Sequence, residues 1–228
     1  MTITDSVYLV PGVRGANSYV LLGKEGVVVV DTGMGGNASK IAKFVGTLEK
    51  EPASIVYIVL THSDMDHSGS VAQLKELTKA KVAIHRSDAP RLSGEMKLKE
   101  VKGAMGALFA IMSPFIRFKP VKPDILLEDA SMIGGLTVVH TPGHTDGSVS
   151  LYLPGEVLFV GDALRTNKKE LPVLSHSAMT VNMDQAKESV RKIAELKFEY
   201  LLPGHGPPIT SNASAKLNEF VKNDFKNA

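Results

Sequence analysis

The segment Thr61-His62-Ser63-Asp64-Met65-Asp66-His67-Ser68-Gly69 constrains this chain more than any other. It follows a β-rich run, residues 55–60, and precedes a helical pattern over 68–77 in which Val71, Leu74 and Leu77 share one face. Four side chains able to ligate a cation therefore fall within six residues, in a turn that puts them on the rim of a sheet. In an extended run His62, Asp64 and Asp66 point to one side, while the turn into the helix swings Asp66 and His67 toward a second point. That geometry suits two neighbouring metal ions. Taken singly, Asp66 would read as an N-cap for the helix at Ser68.

Three later turns carry the same residue types: Thr141-Pro142-Gly143-His144-Thr145-Asp146-Gly147, Val160-Gly161-Asp162 and Pro203-Gly204-His205-Gly206. Residues 148–153 and 157–160 read as strands joined at Pro154-Gly155-Glu156, and this hairpin returns His144 and Asp162 to one end. A short strand, 200–202, delivers His205. One histidine after a strand is ordinarily a surface or capping residue, but four turns of this composition point to a metal site.

The remaining chain predicts the frame around these turns. Residues 7–10, 18–22 and 27–30 read as strands, the last two joined by Gly23-Lys24-Glu25-Gly26. Ile41, Phe44, Val45 and Leu48 give 37–50 a helical face that ends before Pro52, and 81–85 completes a βαβ pattern. Residues 136–140 form another strand, and 183–196 and 215–221 read as helices. Strands in both halves with helices interspersed predict a layered α/β sandwich. At 228 residues the whole chain, 1–228, is expected to be one domain, since single cores extend to about 250 residues.

Composition narrows the chemistry. The absence of cysteine excludes disulfides, thiolate metal sites and cysteine nucleophiles, leaving histidine and carboxylate to hold any metal. A formal charge of +2 lacks the basic excess of a nucleic-acid binder. The N-terminus has neither a basic region nor an apolar run, which predicts a cytoplasmic location. The apolar stretch 103–116 is broken by Gly103, Gly106 and Pro114 and falls short of the roughly 20 residues of a membrane helix. Within the irregular segment 86–123, Met105, Leu108, Phe109, Met112, Phe115 and Ile116 could form an apolar lid, extra core or a homodimer contact. A lid would favour an ester, lactone or thioester with an apolar tail.

In this order, the four turns resemble those of the metallo-β-lactamase superfamily, over a stretch from Asp31-Thr32-Gly33 to His205. The resemblance implies a four-layer αββα sandwich, of α/β (α+β) class, with its metals at the sheet edges and a signature HxHxDH followed by histidine, aspartate and histidine. It implies that His62 and His144 hold a first divalent ion, that Asp66, His67 and His205 hold a second, and that Asp162 bridges them. Asp66 would also orient the attacking hydroxide and pass a proton to the leaving group. The implied activity is hydrolysis of an ester, lactone, thioester or related bond in a small molecule.

Asp64 departs from the signature, standing where the second histidine is expected. As a ligand it adds negative charge and shifts preference from zinc, the default, toward iron or manganese, although zinc accepts aspartate. If Asp64 does not ligate, the first site is weak or empty. Asp31 is expected to support a ligand or loop from behind, and His176 to reach substrate. His85 and His140 are read as core histidines outside the site. A second reading follows from Asp64: flavodiiron proteins, which reduce oxygen or nitric oxide at two irons, resemble this superfamily and carry a carboxylate there. Against it, Thr141-Pro142-Gly143-His144-Thr145 has the hydrolase form, and little chain follows His205 for a flavodoxin domain.

Overall fold

The computed structural model describes residues 1–97, 99 and 119–225. The six apolar positions of the expected lid, Met105 to Ile116, lie outside the described residues. Leu92 and Val121, at the ends of the same segment, are buried in the core.

The β-branched runs of the first half form β1 (Val7–Leu9), β2 (Tyr19–Gly23), β3 (Gly26–Val30), β4 (Ile55–Val59) and β5 (Lys81–His85), with β6 (Ile125–Leu127) at the edge. Strands β1, β2 and β3 pair antiparallel, whereas β3, β4, β5 and β6 run parallel, so three successive crossovers bring their C-terminal ends to one rim. Helices α1 (Ala38–Thr47), α2 (Met65–Ser68), α3 (Val71–Thr78) and α4 (Ala89–Leu92) lie between these strands.

The second sheet contains β7 (Met132–Ile133), β8 (Leu136–His140), β9 (Val149–Leu153) and β10 (Val157–Gly161). A small hairpin, β11 (Leu164–Thr166) and β12 (Pro172–Leu174), precedes α5 (Met183–Ala194). The chain then adds β13 (Tyr200–Pro203) parallel to β10 and ends on α6 (Ala213–Asp224).

Three apolar layers set the stacking. Ile41 and Val45 of α1 and Leu74 of α3 pack with Val27, Val29 and Ile58 on the outer face of the first sheet. Val28, Val30 and Val59 meet Val138, Leu151 and Phe159 between the sheets. Val190, Ile193 and Leu217 cover Leu158, Val160 and Leu201 on the far side. Strands buried on both faces need near-continuous apolar runs, which explains Val27-Val28-Val29-Val30. The result is the expected αββα sandwich. Among the described residues, no helix is long and apolar enough to cross a membrane.

One local expectation is corrected. The helix read from Ser68 to Leu77 is two helices, Met65–Ser68 and Val71–Thr78. The first has no apolar period to announce it, because it is only four residues long and two of them, Asp66 and His67, belong to the site.

Candidate metal centre

The parallel strands place the site. Asp31 follows β3 at a positive φ of 56° and turns its carboxylate under the loop leaving β4. Its Oδ1 accepts from the Thr61 amide (2.8 Å), and its Oδ2 accepts from the Thr61 hydroxyl (2.7 Å) and from His67 Nδ1 (2.8 Å). A carboxylate behind an imidazole fixes both ring orientation and tautomer. His67 Nε2 is thereby aimed at Asp162 Oδ1, 3.3 Å away.

Seven side chains from the four turns converge. His62 Nε2 lies 3.5 Å from Asp64 Oδ2, which lies 3.0 Å from His144 Nε2. Asp66 Oδ2 lies 3.1 Å from His205 Nε2. Asp162, at the end of β10, stands between the two groups, with Oδ2 3.5 Å from His144 Nε2 and 3.6 Å from His205 Nε2. Ligand-type atoms come within 4.8 Å of one another in His62, Asp64 and His144, in Asp66, His67 and His205, and in His62, His67 and Asp162.

In the first cluster the helical turn begins at Met65. Asp64, with φ −59° and ψ 142°, occupies the N-cap position of α2, and its side chain makes no cap hydrogen bond. Asp66 falls in the first helical turn. The two carboxylates therefore face different partners, Asp64 toward His62 and His144, and Asp66 toward His205. Asp66 is not the N-cap.

Charge in the cluster is strongly coupled. Burial works against the ionised forms of Asp64, Asp66, Asp162, His67, His144 and His205, yet the imidazoles overcome it at the acids. His144 and His62, with Lys99, hold Asp64 well below the ordinary carboxylate range. His67 does so for Asp162, and His205 lowers Asp66. Conversely, Asp162 and Asp31 raise His67 well above the ordinary imidazole value, and Asp66 raises His205. At His144 burial wins and the value falls.

Buried His62 Nε2, His67 Nε2, His144 Nδ1 and Asp162 Oδ1 make no hydrogen bond. Such orphaned donors and acceptors are rare in folded proteins. Together with an all-nitrogen-and-oxygen donor set, they fit a divalent cation.

Four supporting residues gave no signal in the sequence. Asp88 is fully buried and ties two ligand loops together: Oδ2 accepts from the Ser63 amide (2.7 Å) and Thr145 hydroxyl (3.0 Å), and Oδ1 from the Gly147 amide (3.0 Å). Lys99 donates to Asp64 Oδ2 (2.5 Å) and lies 2.8 Å from His144 Nε2, so an ammonium sits among the donors of the first group. Asn17, in the loop before β2, and Tyr19, at its start, hold the last ligand loop: the Asn17 backbone amide donates to Gly204 O (2.7 Å) and the Tyr19 hydroxyl to Pro203 O (2.8 Å). Gly204 is required by space, since a Cβ there would stand 2.5 Å from His67 Cε1 and 2.6 Å from Asp162 Oδ1.

A cleft of about 210 Å³ opens beside the cluster, lined by Asp66, His144, Asp162 and His205 on one side and Arg165, Ser175, His176 and Met179 on the other. His176 thus reaches the cleft, although its Nδ1 accepts from the Ala178 amide at 3.2 Å. His85 and His140 stack on each other, ring centroids 4.1 Å apart, and neither joins the ligand groups.

Comparison with known proteins agrees with this geometry. The family model of the metallo-beta-lactamase superfamily matches residues 11–205. The probable metallo-hydrolase YflN of Bacillus subtilis is 32% identical over 215 residues, covering 85% of this chain and 81% of its own. The human acyl-coenzyme A thioesterase MBLAC2 is 28% identical over 210 residues, covering 83% of this chain and 72% of its own. The crystal structure of TTHA1623 in a di-iron-bound form superposes with a TM-score of 0.68 at 27% identity, over 90% of this chain and 94% of that one.

Proposed function

The chain belongs to the metallo-β-lactamase superfamily, and on that premise we propose that it is a two-metal hydrolase acting on a thioester, ester or lactone. The observation that carries this reading is the convergence of seven histidine and aspartate side chains on one rim, several with buried ligand atoms that make no hydrogen bond. His62, Asp64 and His144 would hold one ion, Asp66, His67 and His205 the other, and Asp162 would bridge them. Zinc is the first candidate, with iron or manganese favoured by the carboxylate at Asp64.

A bound divalent pair supplies Lewis acidity and brings the pKa of water near neutrality. The chain's own residues do the rest. Asp66, held through Oδ2 by His205, is placed to take a proton from the attacking water and deliver it to the leaving group. Asp31 and Asp88 fix the loops so that the donors keep their places. Of the bonds considered, the thioester has outside support from MBLAC2, an acyl-coenzyme A thioesterase.

The deciding experiment is metal analysis of purified protein combined with hydrolysis of an acyl-coenzyme A, a phenyl ester and a lactone before and after chelation. Two ions per chain and hydrolysis that is lost on chelation and restored by metal are expected. Asp64 also favours a second reading, oxygen reduction at two irons. Two irons that consume oxygen, with no hydrolysis of any substrate, would replace the first reading by the second.

A further inference from the structure

His85 closes β5 in the first sheet and His140 closes β8 in the second, and their rings stack across the seam, centroids 4.1 Å apart and planes inclined by 9°. Each ring holds a different loop. His85 Nδ1 accepts from the Ser87 amide (3.3 Å), so that nitrogen carries no hydrogen. The next residue, Asp88, is the carboxylate that holds Ser63, Thr145 and Gly147. His140 Nε2 lies 2.9 Å from the Asp146 carbonyl, which can only accept, so that nitrogen does carry a hydrogen. Asp146 stands between Thr145 and Gly147, two of the three groups that Asp88 holds. The stack thus braces both sides of the Asp88 junction from behind, while neither ring joins the ligand groups.

Charges of both signs surround the pair. Arg86 and Asp88 lie on the turn after β5, and Glu128, paired with Arg86, and Asp129 follow β6. Lys192 of α5 bonds both Asp129 and the His140 carbonyl, and Asp146 pairs with Arg91. Burial and the neighbouring His140 hold His85 below the ordinary imidazole value, against the pull of Asp88. The fold therefore favours neutral His85, and the stability tied to that form is lost as pH falls below the ordinary value of 6.5.

We propose that His85 and His140 are positioning residues for the metal centre, a neutral stacked pair that sets the Ser87-Asp88 turn and the 144–147 loop and releases them when His85 takes a proton. A proton on His140 leaves its Nε2–H bond to Asp146 intact. A proton on His85 Nδ1 instead sets donor against donor at the Ser87 amide and loosens the turn that carries Asp88. The consequence for bound ions rests on the two-metal reading, whereas the coupling of the stack to Asp88 does not.

The test follows the His85 ring and the Ser63, Ser87 and Gly147 amides by NMR in zinc-loaded and in chelator-treated protein, from about pH 8 down to about pH 5, the range in which histidine titrates. In the wild type the protection of Ser63 and Gly147 against hydrogen exchange should fall at least tenfold along the titration curve of His85. His85→Asn keeps an acceptor near the Nδ1 position and cannot titrate, so its protection should stay flat. His140→Gln keeps a hydrogen for the Asp146 carbonyl but removes the second ring, so the His85 midpoint should move up; an unmoved midpoint would count against the pair.

Zinc affinity in chelator competition should match between wild type and His85→Asn at the alkaline end and be at least threefold weaker in the wild type at the acid end. Protons competing at the ligands are common to both proteins and cancel in that ratio. If no zinc binds, the two-metal reading fails and the amide curves still decide the coupling. Protection of Ser63 and Gly147 that ignores the His85 titration would overturn the inference, a result read from the wild type alone even if His85→Asn failed to fold.

Discussion

Asp88 carries the clearest energetic consequence of the fold. Replacing it by alanine removes the acceptor for two buried backbone amides, Ser63 and Gly147, at 2.7 and 3.0 Å. The Thr145 hydroxyl loses its bond too, but retains Ser148 Oγ at 2.8 Å, so it is not left orphaned. Each stranded amide costs about 1–3 kcal/mol, which puts Asp88→Ala at roughly 4 kcal/mol, a large share of a typical stability of about 5–15 kcal/mol. For a chain of this size 1 kcal/mol moves the melting temperature by about 2–4 °C, so a fall on the order of 10 °C is expected in thermal unfolding. Ser63 lies between His62 and Asp64, and Thr145 follows His144, so the variant should also bind divalent metal at least tenfold more weakly in a chelator competition. Asp88→Asn, which keeps one acceptor oxygen, should fall between wild type and alanine. A melting temperature for Asp88→Ala within about 2 °C of wild type would refute the accounting, and unchanged metal affinity would refute the claim that Asp88 joins the two ligand loops.

Gly204→Ala should leave a folded protein with metal affinity reduced at least tenfold, because the added methyl collides with His67 and Asp162; near wild-type affinity in a chelator titration would count against the close approach. Lys99→Met should raise the affinity of the Asp64 and His144 pair for a divalent ion several-fold, since it removes the ammonium now paired there; stepwise metal titration showing a weaker or unchanged first site would contradict this. In chelator-treated protein, Asp162 and Asp31 raise His67, and Asp66 raises His205, so the stability they contribute is complete below the unfolded imidazole pKa and is lost as pH rises through the raised folded values. Urea midpoints of the metal-free protein should therefore fall as pH rises above the ordinary imidazole value of 6.5, while metal affinity should rise over the same range because ligation displaces protons; a metal-free midpoint that climbs with pH there would show the sign to be wrong.

The large elements were legible because their signals are periodic. The expected strands at 81–85 and 136–140 match β5 and β8 residue for residue. The hairpin of β9 and β10 returns His144 and Asp162 to one end, as alternation and a Pro-Gly turn imply. The cluster of seven was legible because four turns repeat one composition. What escaped is aperiodic or single. Helix α2 hides in Met-Asp-His-Ser, which has no apolar face to count, so its start at Met65 and the N-cap position of Asp64 carry no periodic signal. Asp88, Lys99 and Arg165 are lone charged residues outside any motif, and only folding across distant segments shows whom they meet. Asn17 and Tyr19 belong to the same class, since their partners lie more than 180 residues away.

The donors are divided between the two halves of the sandwich. His62, Asp64, Asp66 and His67 leave the first sheet, whereas His144, Asp162 and His205 leave the second. Neither half alone supplies the full set of donors. A bound ion would therefore act as a fastener across the seam, and pulling the sheets apart would have to break coordinate bonds as well as expose the apolar layer between them. Metal supply would then govern how long a finished molecule survives.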